Sequence, residues 1–243
     1  MGKKDEDKKV PETALQMSEY AYNAVPLYME LRDALKMEEC DFDDLPIVGK
    51  NTYMQSEIPY LSTYYVRDFL DGKLDVGKPS GSTGNVSTYY WHPDDEKKSL
   101  IELWFYRKKY YDILPTDDLV IFFPIEIEGG LIKKVPHVLG LSKQYLYNGN
   151  LQEAYEKIME FRPKWMILQP SVFWLLFQLI KKNNLPVIDS VQYIEFTGEY
   201  LEEGIRKLAE DLFDCKTANQ YGMREVNSMA YECPARNMHI MQN

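Results

Sequence analysis

Of the 243 residues, 45% are apolar and 27% charged, the balance of a chain that folds around a core rather than staying disordered. Asp and Glu number 38 against 28 Lys and Arg, a net charge of −10, which excludes broad attraction to nucleic-acid phosphates because that needs dense positive charge. The longest uncharged run, Trp165–Ile180, falls short of the roughly 20 apolar residues of a membrane span. Three scattered cysteines (Cys40, Cys215, Cys233) cannot frame a disulfide scaffold. The expectation is a soluble cytoplasmic protein without a membrane span.

Residues 1–10 are a charged cluster with no apolar stretch behind them, expected to be a disordered tail rather than a signal peptide. Residues 11–243 are expected to form one α/β domain behind a helical section. Helical spacing runs from Glu12 to about Met37, split at Pro26, with Leu15, Tyr22 and Val25 on one stripe before the break. Pro59 suits the first turn of a helix that stops at Asp71-Gly72, and Asp94-Asp95-Glu96 opens another with Leu100, Leu103, Trp104 and Tyr111 facing the core. Beyond Pro115 the rhythm changes. Leu119–Phe123, Trp165–Leu168, Val191–Phe196 and Lys216–Tyr221 read as buried strands, separated by helical patterns at Leu151–Phe161, Ser171–Asn183 and Leu201–Phe213. Such alternation predicts right-handed crossovers and a mostly parallel sheet flanked by helices. Met229–Tyr231 and Met238–Met241 read as a closing hairpin. A domain ending on a strand is expected to be a truncated one.

Two glycine patterns compete as phosphate loops. Gly72 to Pro79 nearly fits the Walker pattern, but Pro79 stands where a metal-binding hydroxyl is needed and offers no amide proton. Ser80-Gly81-Ser82-Thr83-Gly84 is the better pattern, because small residues let the backbone approach phosphate and three hydroxyls add donors. By composition alone it could equally be a flexible polar loop.

The loop is followed in order by Phe161-Arg162-Pro163, a strand, Pro170-Ser171, a helix, then Thr197-Gly198-Glu199 and Tyr221-Gly222-Met223-Arg224-Glu225. From about Lys78 onward this ordered set resembles the adenylate-forming acyl-CoA synthetases, and more closely the phenylacetate–coenzyme A ligases and their capsular-polysaccharide-biosynthesis relatives. The resemblance implies that Ser80, Gly81, Ser82, Thr83 and Gly84 hold the ATP phosphates. It implies that Gly198 and Glu199 line the adenine pocket, that Tyr221 with Gly222 meets the base, and that Glu225 coordinates Mg²⁺. Catalytic roles fall to Glu225, Arg224 and Thr83. The residues alone leave Tyr221 open as a core aromatic and Glu225 as a cap or surface acid.

The implied reaction converts a carboxylic acid, aryl in the nearest relatives, to an acyl-adenylate and then to a coenzyme A thioester. Small acid, ATP, Mg²⁺ and coenzyme A are thus the implied partners, with no nucleic acid; a homodimer is compatible with the sequence. The chain departs from the family at Asn85-Val86, at Tyr200 where proline is common, and at Arg224 where threonine is usual. A guanidinium there would offer charged, bidentate bonds to phosphate. The family's ribose-binding aspartate, hinge and lid domain would lie beyond Asn243, so this chain alone is expected to be weak or inactive. Two other readings stay open: a non-catalytic nucleotide-binding remnant, and an acyl-protein synthetase that loads Cys40, Cys215 or Cys233. Cys233 and His239 could supply two ligands to Zn²⁺, which wants four. Tyr89-Tyr90-Trp91 reads as the wall of a strand in the core in preference to an acyl pocket.

Overall fold

A computed structural model of the chain describes residues 11–35, 42, 45–49, 60–77, 88–123, 132–143 and 146–241. It divides into two compact units, residues 1–93 and 94–243. In the first unit, α1 (Glu12–Ala24) and α2 (Pro26–Leu35) are parted at Val25, whose extended backbone (φ −107°, ψ 117°) is what a following proline imposes. Tyr22 is fully buried and its ring meets Tyr28 edge-on at 6.3 Å. Leu15 is exposed instead of core-facing. The helix expected from Pro59 is a single 3-10 turn at Thr63–Tyr65 and a short α3 (Val66–Leu70), and Pro59 lies outside the described residues. It does stop at Asp71-Gly72, where Gly72 takes φ 67°. Strands β1 (Asp75–Gly77) and β2 (Tyr89–Trp91) pair antiparallel, Gly77 opposite Tyr89. Asp75–Gly77 of the Walker-like stretch is therefore strand, and its Lys78 and Pro79 lie outside the described residues. Tyr89, Tyr90 and Trp91 form the other strand of this small sheet, each half-buried.

The helix entering the second unit is α4 (Pro93–Ser99), broken at Leu100 from α5 (Ile101–Tyr111). The strands that follow are β3 (Leu119–Phe123), β4 (Ile132–Val135), β5 (Val138–Ser142), β6 (Trp165–Leu168), β7 (Tyr193–Thr197), β8 (Lys216–Met223), β9 (Asn227–Glu232) and β10 (Met238–Ile240). Helices α6 (Leu151–Phe161), α7 (Pro170–Lys182) and α8 (Glu203–Phe213) connect β5 to β8. The sheet order is β10-β9-β8-β7-β6-β3-β5-β4. Its centre, β5-β3-β6-β7-β8, is parallel throughout, and the outer strands pair antiparallel. The expected α/β class with a mostly parallel sheet is what forms. Strands β4 and β5 were not expected; two lysines in β4 and Gly140 in β5 hide the apolar run on which a strand reading depends.

Strand period divides the core in two. Val120, Phe122, Met166, Leu168, Ile194 and Phe196 point to α6, α7 and α8, whose stripe on α7 is Val172, Phe173, Leu176 and Ile180. Trp165, Tyr193 and Ala218 point the other way, to Leu103 and Tyr111 of α5. On that second face sits a buried ion pair. Arg107 donates to both oxygens of Glu195, at 2.8 and 2.5 Å, and its guanidinium lies 4.6 and 5.0 Å from the Trp104 and Trp165 rings. The Tyr231 hydroxyl donates to Glu195 at 3.1 Å and shares a hydrogen bond with the Tyr193 hydroxyl. Burial pushes the Tyr193 and Tyr231 phenols far above their ordinary value, and the nearby Glu195 charge adds to it.

Removing one partner of such a pair leaves a buried charge without compensation. Arg107→Met is expected to lower stability by about 3–5 kcal/mol, read as a reduced urea midpoint. The raised tyrosines set an alkaline limit as well. The unfolded chain ionises its phenols near 10 while the folded chain keeps Tyr193 and Tyr231 neutral, so their stabilisation is whole below that pH and falls as pH rises above it. Thermal melts across pH 8 to about 11.5 should show the decline, and Tyr193→Phe should reduce its slope.

Candidate functional site

In an open parallel sheet, ligands bind outside the carboxyl ends of the strands where the connections switch direction. Here β3 is entered from α5 on one face, whereas the helices after β5, β6 and β7 lie on the other. The residues at that carboxyl edge are Lys143 after β5, Gln169 after β6, and Thr197-Gly198-Glu199 at the end of β7. On β8, Gln220 pairs with Thr197, so Tyr221 follows at the level of Gly198.

Two glycines earn their places for different reasons. Gly198 turns the chain at φ 77°, a conformation that side chains rarely adopt, although among the described residues a Cβ there would meet just the Gln169 side chain, Cγ at 3.6 Å and Nε2 at 3.9 Å. Gly222 sits at a bulge in the β8–β9 ladder, and a Cβ there would fall 2.1 Å from the Asn227 carbonyl oxygen. The hairpin beyond it turns through Arg224, Glu225 and Val226, with Asn227 at φ 55° closing it.

Glu199 is the best-connected group at the edge. Its Oε2 accepts from the Ser171 amide at 2.9 Å, and its Oε1 accepts from the Ser171 hydroxyl at 2.8 Å and from Lys143 Nζ at 3.1 Å. Ser171 stands in the first turn of α7, so Glu199 caps that helix from a neighbouring strand end. Burial would raise the Glu199 carboxyl, but these three hydrogen bonds outweigh it and hold it below the ordinary carboxylate range. Gln169 Oε1, beside Gly198, is buried and has no hydrogen-bond partner among the described residues. Thr197 donates to Gln220 Oε1, and Gln220 in turn donates to Ser228 at 2.9 Å.

The site residues expected from sequence thus separate into groups. Gly198, Glu199, Tyr221 and Gly222 are brought to one edge. Tyr221 is exposed rather than a core aromatic, and Arg224 and Glu225 are exposed on the adjoining hairpin turn. Glu225 makes no hydrogen bond or ion pair among the described residues. Ser80, Gly81, Ser82, Thr83 and Gly84 lie outside the described residues, as do Cys40 and Asn85-Val86. Cys233 and His239 fall diagonally across the β9–β10 hairpin, Cys233 buried and His239 stacked near Tyr106 at 6.4 Å. Among the described residues no three His, Cys, Asp or Glu side chains cluster as a metal site would need. The Cys215 thiol is pushed up to about 12, by burial and then by Glu210 and Asp214, which leaves little thiolate for acyl transfer at neutral pH. Lys143, Gln169 and Gln220 were not singled out from sequence, and Ser171 entered only as part of the Pro-Ser motif. The available signal was position: Lys143 and Gln169 stand just past the ends of β5 and β6, and Gln220 at the last parallel pairing of β8 with β7.

No family model matches the sequence, and no curated protein matches it. The fold has clear counterparts among solved structures, CoA ligases among them. The chain is similar to an open conformation of 2-hydroxyisobutyryl-CoA ligase in complex with 2-HIB-AMP and CoA, with a TM-score of 0.66 at 13% identity over 92% of this chain and 55% of that one. It is similar to the same ligase in the thioesterification state, at TM-score 0.65 and 15% identity over 92% of this chain and 50% of that one. The chain therefore spans about half the length of the ligase chains it matches. Among the described residues no helix is long and apolar enough to cross a membrane.

Gly222→Ala has no room for its methyl group. It is expected to break the β8–β9 register and lower the melting temperature by several degrees, since even about 1 kcal/mol moves a domain this size by roughly 2–4 °C; Gly204→Ala, in open space on α8, is the control. Glu199 supplies a dependence at the acid side. Its lowered carboxyl contributes stability above the ordinary value near 4.5, and that contribution disappears as pH falls through the depressed value. Glu199→Gln should flatten the loss of stability below pH 4.5 in acid melts.

Proposed function

We propose that this chain is the nucleotide-binding part of an ATP-dependent acid–thiol ligase of the adenylate-forming superfamily, acting on a small carboxylic acid, aryl by its resemblance to phenylacetate–coenzyme A ligases. The observation that carries the reading is the placement of Gly198-Glu199 and Tyr221-Gly222 at adjacent carboxyl ends of β7 and β8, in the sequence order of that superfamily. The fold likeness to a ligase solved with an acyl-AMP supports it.

In this reading the acid's carboxylate oxygen attacks the α-phosphorus of ATP and pyrophosphate leaves, giving the acyl-adenylate. A thiol, coenzyme A, then attacks the acyl carbon; AMP departs and the thiol proton is released. The first step asks the protein for position and charge more than for covalent chemistry. Ser80, Gly81, Ser82, Thr83 and Gly84 would hold the outer phosphates through amides and hydroxyls. The exposed Tyr221 ring would stack on adenine, against the Gly198 turn, and Arg224 would bond the α-phosphate. Glu225 fits a hard divalent ion, being an exposed carboxylate with no partner among the described residues. Mg²⁺ bound there would neutralise phosphate charge.

Calorimetric titration with ATP and Mg²⁺ tests this reading. Wild type should bind, while Thr83→Val and Glu225→Gln should each weaken binding roughly tenfold, about the worth of one charge-assisted hydrogen bond. Omitting Mg²⁺ should remove the difference between wild type and Glu225→Gln. A folded wild-type chain that binds neither ATP nor AMP overturns the reading.

A further inference from the structure

The ion pair between Lys143 and Glu199 joins elements that are far apart in the sheet. Lys143 follows β5 and Glu199 follows β7, and the order β7-β6-β3-β5 places two strands between them. Three strand spacings of roughly 4.8 Å make about 14 Å at the level of the ladder, yet the side chains meet at 3.1 Å. The pair therefore lies across the carboxyl ends of β3 and β6, at the switch point where an open sheet takes its ligand.

The two partners are unequally provided for. Glu199 has two further hydrogen bonds, both from Ser171, and would stay compensated without the lysine. Lys143 has an ammonium with three protons, and Glu199 is its one partner among the described residues. Its side chain is only 14% exposed, yet its hydrogen bond to Glu199 lies at the exposed rim, so the stem is covered and the ammonium is within reach of a ligand. An ammonium with one acceptor among the described residues, held by it across a ligand crevice, is suited to a second, exogenous oxyanion.

We propose that Lys143 is an anion-binding residue of this site: Glu199 holds its ammonium in place, and its remaining protons take a ligand phosphate or carboxylate oxygen. The inference rests on the nucleotide reading above and deepens it. AMP supplies the phosphate and 2-hydroxyisobutyrate the carboxylate; adenosine, with the same base and ribose but no charge, is the control for a merely structural lysine.

Calorimetry would compare wild type, Lys143→Met and Lys143→Arg, each first shown to melt cooperatively. The expected result is that Lys143→Met binds adenosine like wild type but loses roughly tenfold or more in affinity for AMP, for 2-hydroxyisobutyrate, or for both. Lys143→Arg, which keeps the charge, should restore most of it. A loss confined to AMP identifies phosphate as the partner, and one confined to the acid identifies carboxylate. Equal loss for adenosine and AMP, with the acid unchanged, would overturn the proposal and leave Lys143 a prop for the Gly198 turn. Unchanged binding of both anions would overturn it while leaving the nucleotide reading intact. A wild-type chain that binds none of the three ligands would overturn both.

Discussion

The contact between Arg107 and Glu195 governs how the second unit is assembled. A helix and a central strand each bring one charge into a layer of Trp104, Trp165, Tyr193 and Tyr231, where neither charge is tolerable alone. From the place α5 takes on the sheet the guanidinium reaches both carboxylate oxygens. That placement fixes β7, and β7 ends two residues later in Thr197-Gly198-Glu199. A buried pair of this kind adds little net stability, but a packing that separated its partners would leave a buried charge uncompensated.

A second polar network continues the same logic toward the sheet's antiparallel side. Arg206 of α8 donates to Glu232 at 2.9 Å and to Thr217 at 3.1 Å, and the Asn219 amide donates to the other Glu232 oxygen at 2.7 Å. Tyr111 of α5 reaches the Glu232 carbonyl at 2.9 Å from the opposite face. The β8–β9 hairpin is thereby tied to helices on both sides of the sheet, and its turn, bearing Arg224 and Glu225, projects outward from anchored strands. Exposed chemistry on a restrained turn suits a group that must meet a ligand without searching for it.

In the proposed reading, Glu199 combines a structural and a binding role in one carboxylate. It caps α7 through Ser171 and steadies Lys143, so the turn at Gly198 is held from two sides. A group so employed is poorly placed to act as a base, and a wall or a holder is the role its bonds permit. The similar ligase structures contain an acyl-AMP and, in two states, CoA; at 13–15% identity they show the fold, and the residues must supply the chemistry.

Much of this was open to reading along the chain. The break at Pro26 follows from local sterics, and the apolar runs of β3 and β6 and the stripes of α6 and α7 follow from period. The order of Gly198-Glu199 and Tyr221-Gly222 is a linear fact, as is the residue alphabet of the Ser80–Gly84 stretch, which lies outside the described residues. Strands β4 and β5 were hidden because lysines and a glycine interrupt the run that pairing later stabilises. The lysine at 143 was equally silent. Nothing near it in sequence marks a site, and its partner is 56 residues away. Local spacing determined which segments could be helix or strand; only the order of strands in the sheet, set by long-range packing of two faces, decided that Lys143, Gln169 and Glu199 stand along one edge.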